Sequence, residues 1–325
     1  MPLTSSAYEP PTWLRGGHLQ TLYPSLARTV DFVYDHRTRI DTPDGDFLDL
    51  DWHRRGHDRV AILSHGLEGS TQRSYMRGMA RALARNGWDV LAWNLRGCSG
   101  TPNRRLRTYH SGATDDLAVV MSHALSKSYS AVALVGFSLG GNLTLKYLGE
   151  RGDAVAPCVQ AAAAFSVPVD LQSSARQLAR PTNWHYVQYF LRTLRAKVEE
   201  KADRWPDRIA TPRWGEVRTL TDFDDRYTAP LNGFRDALDY YQRASSKPLL
   251  EAIAVPTLLV NAANDPFLGP PCYPRETAAT HPHLTLDIPE EGGHVGFART
   301  RSNGVYWSEA RAASFLNSHV LPKRA

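Results

Sequence analysis

Ser138 sits in Gly136-Phe137-Ser138-Leu139-Gly140-Gly141, directly after the apolar run Ala131–Val135 and before the helix-forming stretch Asn142–Leu148. A Gly-x-Ser-x-Gly that closes a strand and opens a helix puts the serine on a tight, strained turn and lifts its hydroxyl above the sheet. The glycines are needed because a Cβ there would collide with neighbouring backbone. Without that context the same residues would be only a glycine-rich turn. With it, Ser138 reads as a nucleophile.

A serine hydroxyl alone is a weak nucleophile and needs a base that is itself oriented by a carboxylate. On a sheet carrying this turn, the chain order is serine, acid, histidine. Among twelve histidines, His294 is the candidate base. Its loop, Gly292-Gly293-His294-Val295-Gly296-Phe297, follows the last expected strand, and its small residues allow a close approach to the nucleophile. Asp265 leaves the preceding strand, Thr257–Asn261, and is the candidate acid, with the tasks of fixing the histidine tautomer and stabilising the imidazolium. Asp170 is the rival acid, and an Asx turn or helix cap before proline is the non-catalytic role for Asp265. An oxyanion hole needs backbone donors. Leu139 N–H supplies one, and Leu67 N–H, in His65-Gly66-Leu67-Glu68-Gly69, the other. His65 reads as a support for that loop rather than a second base.

Other residues carry weaker signals. Gly97-x-x-Gly100 is no dinucleotide fingerprint, and no Walker sequence is present. His281-x-His283 lacks further ligands at metal-binding spacing and reads as an exposed loop. Asp222, Asp224 and Asp225 read as caps of the following helix or as an arginine partner. Trp184, Tyr186, Tyr189 and Phe190 suit an acyl pocket and core packing equally.

The elements that must hold these residues alternate. Strands are expected at Phe32–Ile40, Phe47–Trp52, Val60–Leu63, Asp89–Trp93, Ala131–Val135 and Val155–Phe165, with helices at Tyr75–Arg85 and Asp115–Leu125. Strands that are apolar throughout call for a parallel sheet covered on both faces. The alternation stops near Pro168 and resumes at Thr257–Asn261, His283–Ile288 and a final helix, Tyr306–Val320. Between lie helical pieces such as Tyr186–Val198 and Phe234–Arg243. The expected organisation is therefore a leader and first core half over 1–167, a helical cap over 168–253, and the rest of the core over 254–325.

Composition narrows the class. The 325 residues, 42% hydrophobic and 22% charged, suit a globular protein with a large core. No stretch reaches the ~20 apolar residues of a membrane span, and the first residues lack a signal-peptide pattern. Three cysteines without a motif spacing point to a reducing, cytoplasmic setting. The net charge of +5 comes without a nucleic-acid module. Its densest basic cluster, Arg104, Arg105 and Arg107, reads as a solvated loop, compatible with peripheral attraction to anionic lipid.

The chain resembles the YheT-like, or embryogenesis-associated (EMB-like), branch of the α/β-hydrolase superfamily nearly end to end. Matching motifs include Gly17-His18-Leu19-Gln20-Thr21, His65 through Gly69, Asn94-Leu95-Arg96-Gly97-Cys98-Ser99-Gly100 and Tyr109-His110-Ser111-Gly112. Further matches are Gly136 through Asn142, Phe223-Asp224-Asp225, Thr228-Ala229-Pro230-Leu231 with Gly233-Phe234, Asp265-Pro266-Phe267 and Gly292 through Phe297. The resemblance implies an α/β-hydrolase fold with a mostly parallel sheet of about eight strands flanked by helices. It implies a helical cap before the acid-bearing strand and the triad Ser138, Asp265 and His294. Many members carry two acidic residues before Pro-Phe; here Asn264 leaves Asp265 as the single acid. Arg299 stands where some related hydrolases have the Asp of a His-x4-Asp acyltransfer signature.

The expected activity is that of a serine carboxylesterase, hydrolysing short- to medium-chain esters through an acyl-enzyme without metal or organic cofactor. The alternatives are a lipase for monoacylglycerol or phospholipid esters, and a non-catalytic binding protein of the same fold. The expected partner is a small-molecule or lipid ester, not nucleic acid.

Overall fold

Runs such as Arg59–Ser64 and Ala131–Phe137 are buried at every position, so both faces of their sheet must be covered. The computed structural model, which describes residues 3–4, 6–209, 214–299 and 304–320, places them at the centre of a nine-stranded sheet. The strands are β1 (Leu3–Thr4), β2 (His36–Asp41), β3 (Phe47–His53), β4 (Arg59–Ser64), β5 (Asp89–Asn94), β6 (Ala131–Phe137), β7 (Val159–Phe165), β8 (Thr257–Val260) and β9 (Leu284–Asp287). Their order is β1-β9-β8-β7-β6-β4-β5-β3-β2, and only β3 is reversed, antiparallel to both β2 and β5. This is the α/β-hydrolase sheet that the motif order implied, with β1 a two-residue addition at one edge.

Alternation of side chains sorts the core into two layers. Val60, Ile62, Val132 and Leu134 pack under α3 (Thr114–Leu125) and α4 (Leu139–Arg151). Ala61, Leu63, Ala133 and Val135 pack under α2 (Ser74–Arg85) and α11 (Trp307–His319). The remaining core-side helices are α1 (Gly17–Ala27) and α10 (Arg275–Thr280).

Between β7 and β8 the chain forms α5 (Leu171–Leu178), α6 (Trp184–Arg204), α7 (Leu220–Phe223), α8 (Ala229–Leu231) and α9 (Ala237–Ala244). A π-helical turn, Asp224–Thr228, joins α7 to α8. The described part of this segment contains no strand, and it has apolar clusters of its own around Tyr186, Leu194 and Phe223 and around Tyr240.

Several boundaries differ from the sequence reading. Phe32 and Tyr34 lie outside the strand, buried in the layer under α2, and pairing starts at His36. Val155 ends a 3-10 turn and Pro157 has no N–H for the ladder, so β7 begins at Val159. Helix α4 begins at Leu139, earlier than Asn142, although its first turn holds Gly140 and Gly141. A Cβ at Gly140 would lie 2.4 Å from Ser64 O, and one at Gly141 2.6 Å from Val167 Cγ2. Close packing rather than helix propensity sets those residues.

The edge hairpin is tied to the core by one buried cation. Arg96, after β5, makes a bidentate contact with Asp116 of α3 (2.7 and 2.8 Å) and also reaches Asp44 (2.8 Å) and Asp46 (3.0 Å) of the β2–β3 turn. Arg96→Met should leave the buried carboxylates of Asp46 and Asp116 without their cation. The expected cost is about 3–5 kcal/mol of stability, read as a lower urea midpoint at unchanged denaturant slope.

Candidate active site

The turn at Ser138 fits because two carbonyls and a helix start share one point. A Cβ at Gly136 would stand 2.4 Å from Gly140 O. Between these glycines Ser138 has φ 51°, a left-handed conformation unusual for a residue with a side chain. Its N–H is held by Phe165 O (2.9 Å) across the sheet. The hydroxyl consequently stands clear of β6, at the first turn of α4.

The structure brings Ser138, His294 and Asp265 together. His294 Nε2 lies 2.9 Å from Ser138 Oγ, and His294 Nδ1 lies 2.9 and 3.1 Å from the two Asp265 carboxylate oxygens. An ionised carboxylate only accepts, so Nδ1 carries the proton and Nε2 is left to accept from the serine hydroxyl. The Asp265 side chain is fully buried and turned into its own loop, where Oδ1 also accepts Phe267 N–H (2.9 Å). The rival, Asp170, is occupied elsewhere: it accepts Ser173 N–H (3.0 Å) as the cap of α5.

The loop after β4 closes over the serine. A Cβ at Gly66 would lie 3.1 Å from Ser138 Cβ. Gly66 N–H donates to Tyr75 Oη (3.0 Å) and Glu68 N–H to Tyr109 Oη (3.1 Å), so the neighbours of Leu67 are both committed. Leu67 lies between them and lines the same cavity as Ser138 and Leu139. Leu139 is the first residue of α4, so its N–H has no acceptor within the helix. His65 holds the loop from beneath. Its Nε2 accepts Leu95 N–H (3.1 Å) while Nδ1 donates to Gly66 O (2.8 Å), a pattern that requires neutral imidazole. Burial pushes it down to about 4.

These groups form the floor of a cavity of about 740 Å³, within the ~300–1,000 Å³ common for small-molecule sites. Its walls come from α1, α5, α6, the α7–α9 region and the loop after β8 and are mainly apolar, including Leu22, Leu178, Phe190, Leu194, Phe223 and Phe267. Tyr186, Tyr189 and Phe190 line it, whereas Trp184 is exposed. Asp224 also faces the cavity. It accepts from Tyr241 Oη (2.7 Å), and burial pushes its carboxyl up to about 6. Asp222 closes the capping box of α7 with Thr219, and Asp225 accepts Ala237 N–H (3.1 Å) at the start of α9. Asp224 instead pairs with a phenol, outside both expected roles.

His281 is buried, not exposed, because its Nδ1 accepts the N–H groups of His283 and Leu284 where β9 starts. Among the described residues no group of three His, Cys, Asp or Glu side chains is gathered as a metal site.

Local pattern did not reveal the part played by α1. Gln20 is buried, and its Oε1 accepts Gly292 N–H (2.6 Å) and Asn264 Nδ2–H (3.3 Å); its Nε2 donates to Leu14 O and Glu291 (both 2.8 Å). Thr21 Oγ1 accepts His294 N–H (2.9 Å). Gly293 and Gly296 of the histidine loop serve this contact rather than approach to the serine. A Cβ at Gly293 would lie 2.6 Å from Gly17 O, and one at Gly296 2.4 Å from Gln20 O. The Gly17–Thr21 motif was the available signal, and only an assembled fold gives it a target.

Thr21→Val keeps the shape but removes the acceptor for His294 N–H. Turnover should fall about five- to tenfold, the worth of one hydrogen bond of ~1 kcal/mol, with little change in unfolding midpoint. A second expectation concerns pH. Burial lowers His65 from 6.5 to about 4 and His110 from 6.5 to about 3, so the unfolded chain takes up these protons first. Their contribution is whole above pH 6.5 and is lost as pH falls toward 4. Urea midpoints should therefore decline from pH 7 to about pH 5 with uptake of up to about two protons on unfolding.

Known proteins are similar to this chain in sequence and fold. The model of the alpha/beta hydrolase fold matches residues 61–298. YheT of Escherichia coli (strain K12) is 33% identical over 98% of this chain and 96% of its own length. Phospholipase ABHD3 of Mus musculus is 31% identical over 91% of this chain and 74% of its own. Among solved structures, the Pyrococcus furiosus esterase Pf2001 superposes with a TM-score of 0.58 at 18% identity, covering 89% of this chain and 93% of that one. With the sheet order, the family model and the near full-length similarity to YheT in agreement, the chain belongs to the α/β-hydrolase superfamily.

Proposed function

We propose that the protein is a serine carboxylesterase in which Ser138, His294 and Asp265 act as the catalytic triad. The observation that carries this reading is the continuous hydrogen-bonded line from Asp265 through His294 to Ser138 at the floor of an apolar cavity. His294 takes the serine proton as Oγ attacks the ester carbonyl. The N–H groups of Leu67 and Leu139 receive the developing oxyanion. His294 then protonates the leaving alcohol and activates water to release the acid. Asp265 keeps the tautomer with its Nδ1 protonated and stabilises the imidazolium.

In this reading residues 168–253 act as a cap, the segment 1–167 with 254–325 forms the catalytic core, and the acyl group lies among the apolar walls of the cavity. Short- to medium-chain acyl groups are the proposed substrates. A lipase reading is favoured by the cavity volume of about 740 Å³ and by the phospholipase named among the relatives. The motifs shared with YheT-like and EMB-like proteins support placement in that branch. The three free cysteines suit a cytoplasmic setting, and among the described residues no helix is long and apolar enough to cross a membrane.

Hydrolysis of p-nitrophenyl esters from acetate to palmitate, by wild type and Ser138→Ala side by side, tests this. Wild type should peak at short or medium chains, and the variant should lose at least about 10⁴-fold in kcat. A palmitate peak would favour the lipase reading. Turnover unchanged by the substitution would overturn the role of Ser138, and binding of an ester without hydrolysis would favour the non-catalytic alternative.

A further inference from the structure

The loop that carries Leu67 is not held by the core alone. Glu68, the next residue, has φ 51°, left-handed for a residue with a Cβ. Both its main chain and its side chain are fixed. Tyr109 Oη accepts Glu68 N–H (3.1 Å) and donates to the Glu68 carboxylate, whose side chain is only 4% exposed. The second partner of that carboxylate comes from the helical segment between β7 and β8. Lys197 Nζ of α6 lies 2.7 Å from Glu68 Oε1, 3.2 Å from Cys98 Sγ and 5.0 Å from the centre of the Tyr109 ring.

Resting on the esterase reading above, we propose that Lys197 is a positioning residue. Its ammonium neutralises Glu68 and so holds Leu67 N–H where the oxyanion forms, making the oxyanion hole dependent on the seating of α6. Burial would lower the lysine, but Cys98 and Glu68 beside it hold it above its ordinary value, so it stays charged. Without the ammonium, the Glu68 carboxylate would be buried against a single phenol. A buried charge stripped of its partner is strongly unfavourable. Glu68 would turn toward solvent, and Leu67, one peptide away, would move with it. Arg73 Nη2, donating to Glu68 O (2.9 Å), grips the main chain without supplying the missing countercharge to the carboxylate. Lys197 does not touch the reacting atoms in this scheme, so its loss should act on transition-state stabilisation rather than on substrate affinity.

The test compares wild type, Lys197→Met, Lys197→Arg and the double variant Glu68→Gln/Lys197→Met on p-nitrophenyl butyrate, with Ser138→Ala in parallel. Lys197→Met should lower kcat about tenfold or more, as for a weakened oxyanion donor, with KM within about twofold. An alkylboronic acid, which mimics the tetrahedral species, should weaken by the same factor. Lys197→Arg should recover part of the loss. The double variant, which removes the unpaired charge, should recover most of it. Amide hydrogen exchange across 66–69 should be faster in Lys197→Met and return toward wild type in the double variant, a readout that needs no turnover.

Three results would overturn the proposal: wild-type kcat in Lys197→Met, a loss confined to KM, or a double variant as slow as the single one. Should Lys197→Met fail to fold, Lys197→Gln takes its place, since wild-type kcat and exchange there, with Glu68 intact, would show that the ammonium sets nothing. Turnover surviving in Ser138→Ala would overturn the esterase reading, while the exchange result would still judge the lysine.

Discussion

Everything at the site depends on how closely the start of α4 approaches the end of β4. Gly136 and Gly140 leave no room for a side chain against Gly140 O and Ser64 O, and this absence of Cβ atoms lets strand, turn and helix meet. The strained Ser138 is a consequence, not an independent feature. A left-handed conformation of this kind costs on the order of 1–3 kcal/mol. It persists because β6 is paired on both sides and Phe137 stacks against Phe165 at 5.6 Å. Larger residues would move the helix start away, and Leu139 N–H and Gly66 would no longer converge on one hydroxyl.

Asp265 and His294 have a different dependence. They leave neighbouring strands, and besides their direct contacts, such as Gly293 N–H to Asn264 Oδ1 (2.9 Å), their loops are joined through α1, far away in sequence. Gln20 alone contacts Asn264, Glu291 and Gly292. Each buried hydrogen bond contributes only about 1 kcal/mol net, but breaking one partner leaves a desolvated group with nothing to satisfy it. That asymmetry makes the leader a clamp whose value lies in geometry. The same holds for Ser166, whose hydroxyl accepts Val295 N–H (2.9 Å) while Val295 itself has φ 57°.

Much of this was legible in the sequence, for a physical reason. Strand and helix periods are local, and a nucleophile turn is a local packing problem solved by glycines at fixed offsets. Ser138 was therefore readable from six residues, and strand order then led to Asp265 and His294. What could not be read was who contacts whom across the fold. Helix α1 appeared only as a motif in a leader, since nothing in Gly17–Thr21 names Asn264 or Gly292 as its targets. Phe32 and Tyr34 alternate as a strand does, but their burial comes from packing under α2 without ladder pairing. His281 looked like part of an exposed loop because a histidine near a turn carries no local sign of the backbone N–H groups that its ring accepts. Asp224 belonged to a run of acids whose members turn out to have three different partners.

The segment 168–253 meets the core through two kinds of contact at opposite sides of the serine. On the histidine side the contact is aromatic apart from one buried hydrogen bond, Asn183 Nδ2–H to Pro266 O (2.8 Å): Tyr186 and Phe190 of α6 pack edge-on against Phe267, whose ring lies 4.1 Å from the His294 imidazole. On the side of the Leu67 loop the contact is ionic and hydrogen-bonded, with Lys197 on Glu68 and Lys201 on Asn103 and the main chain of Arg105. Apolar contact of this kind tolerates small sliding, because dispersion is spread over many atoms. A buried ion pair does not, because separation exposes each charge to a poor solvent. Burying such a pair gains little stability over an apolar substitute, so its value here is directional. It sets where α6 rests beside the Leu67 loop, while the Tyr186–Phe267 contact and the Asn183 hydrogen bond to Pro266 O seat the other end of the helix.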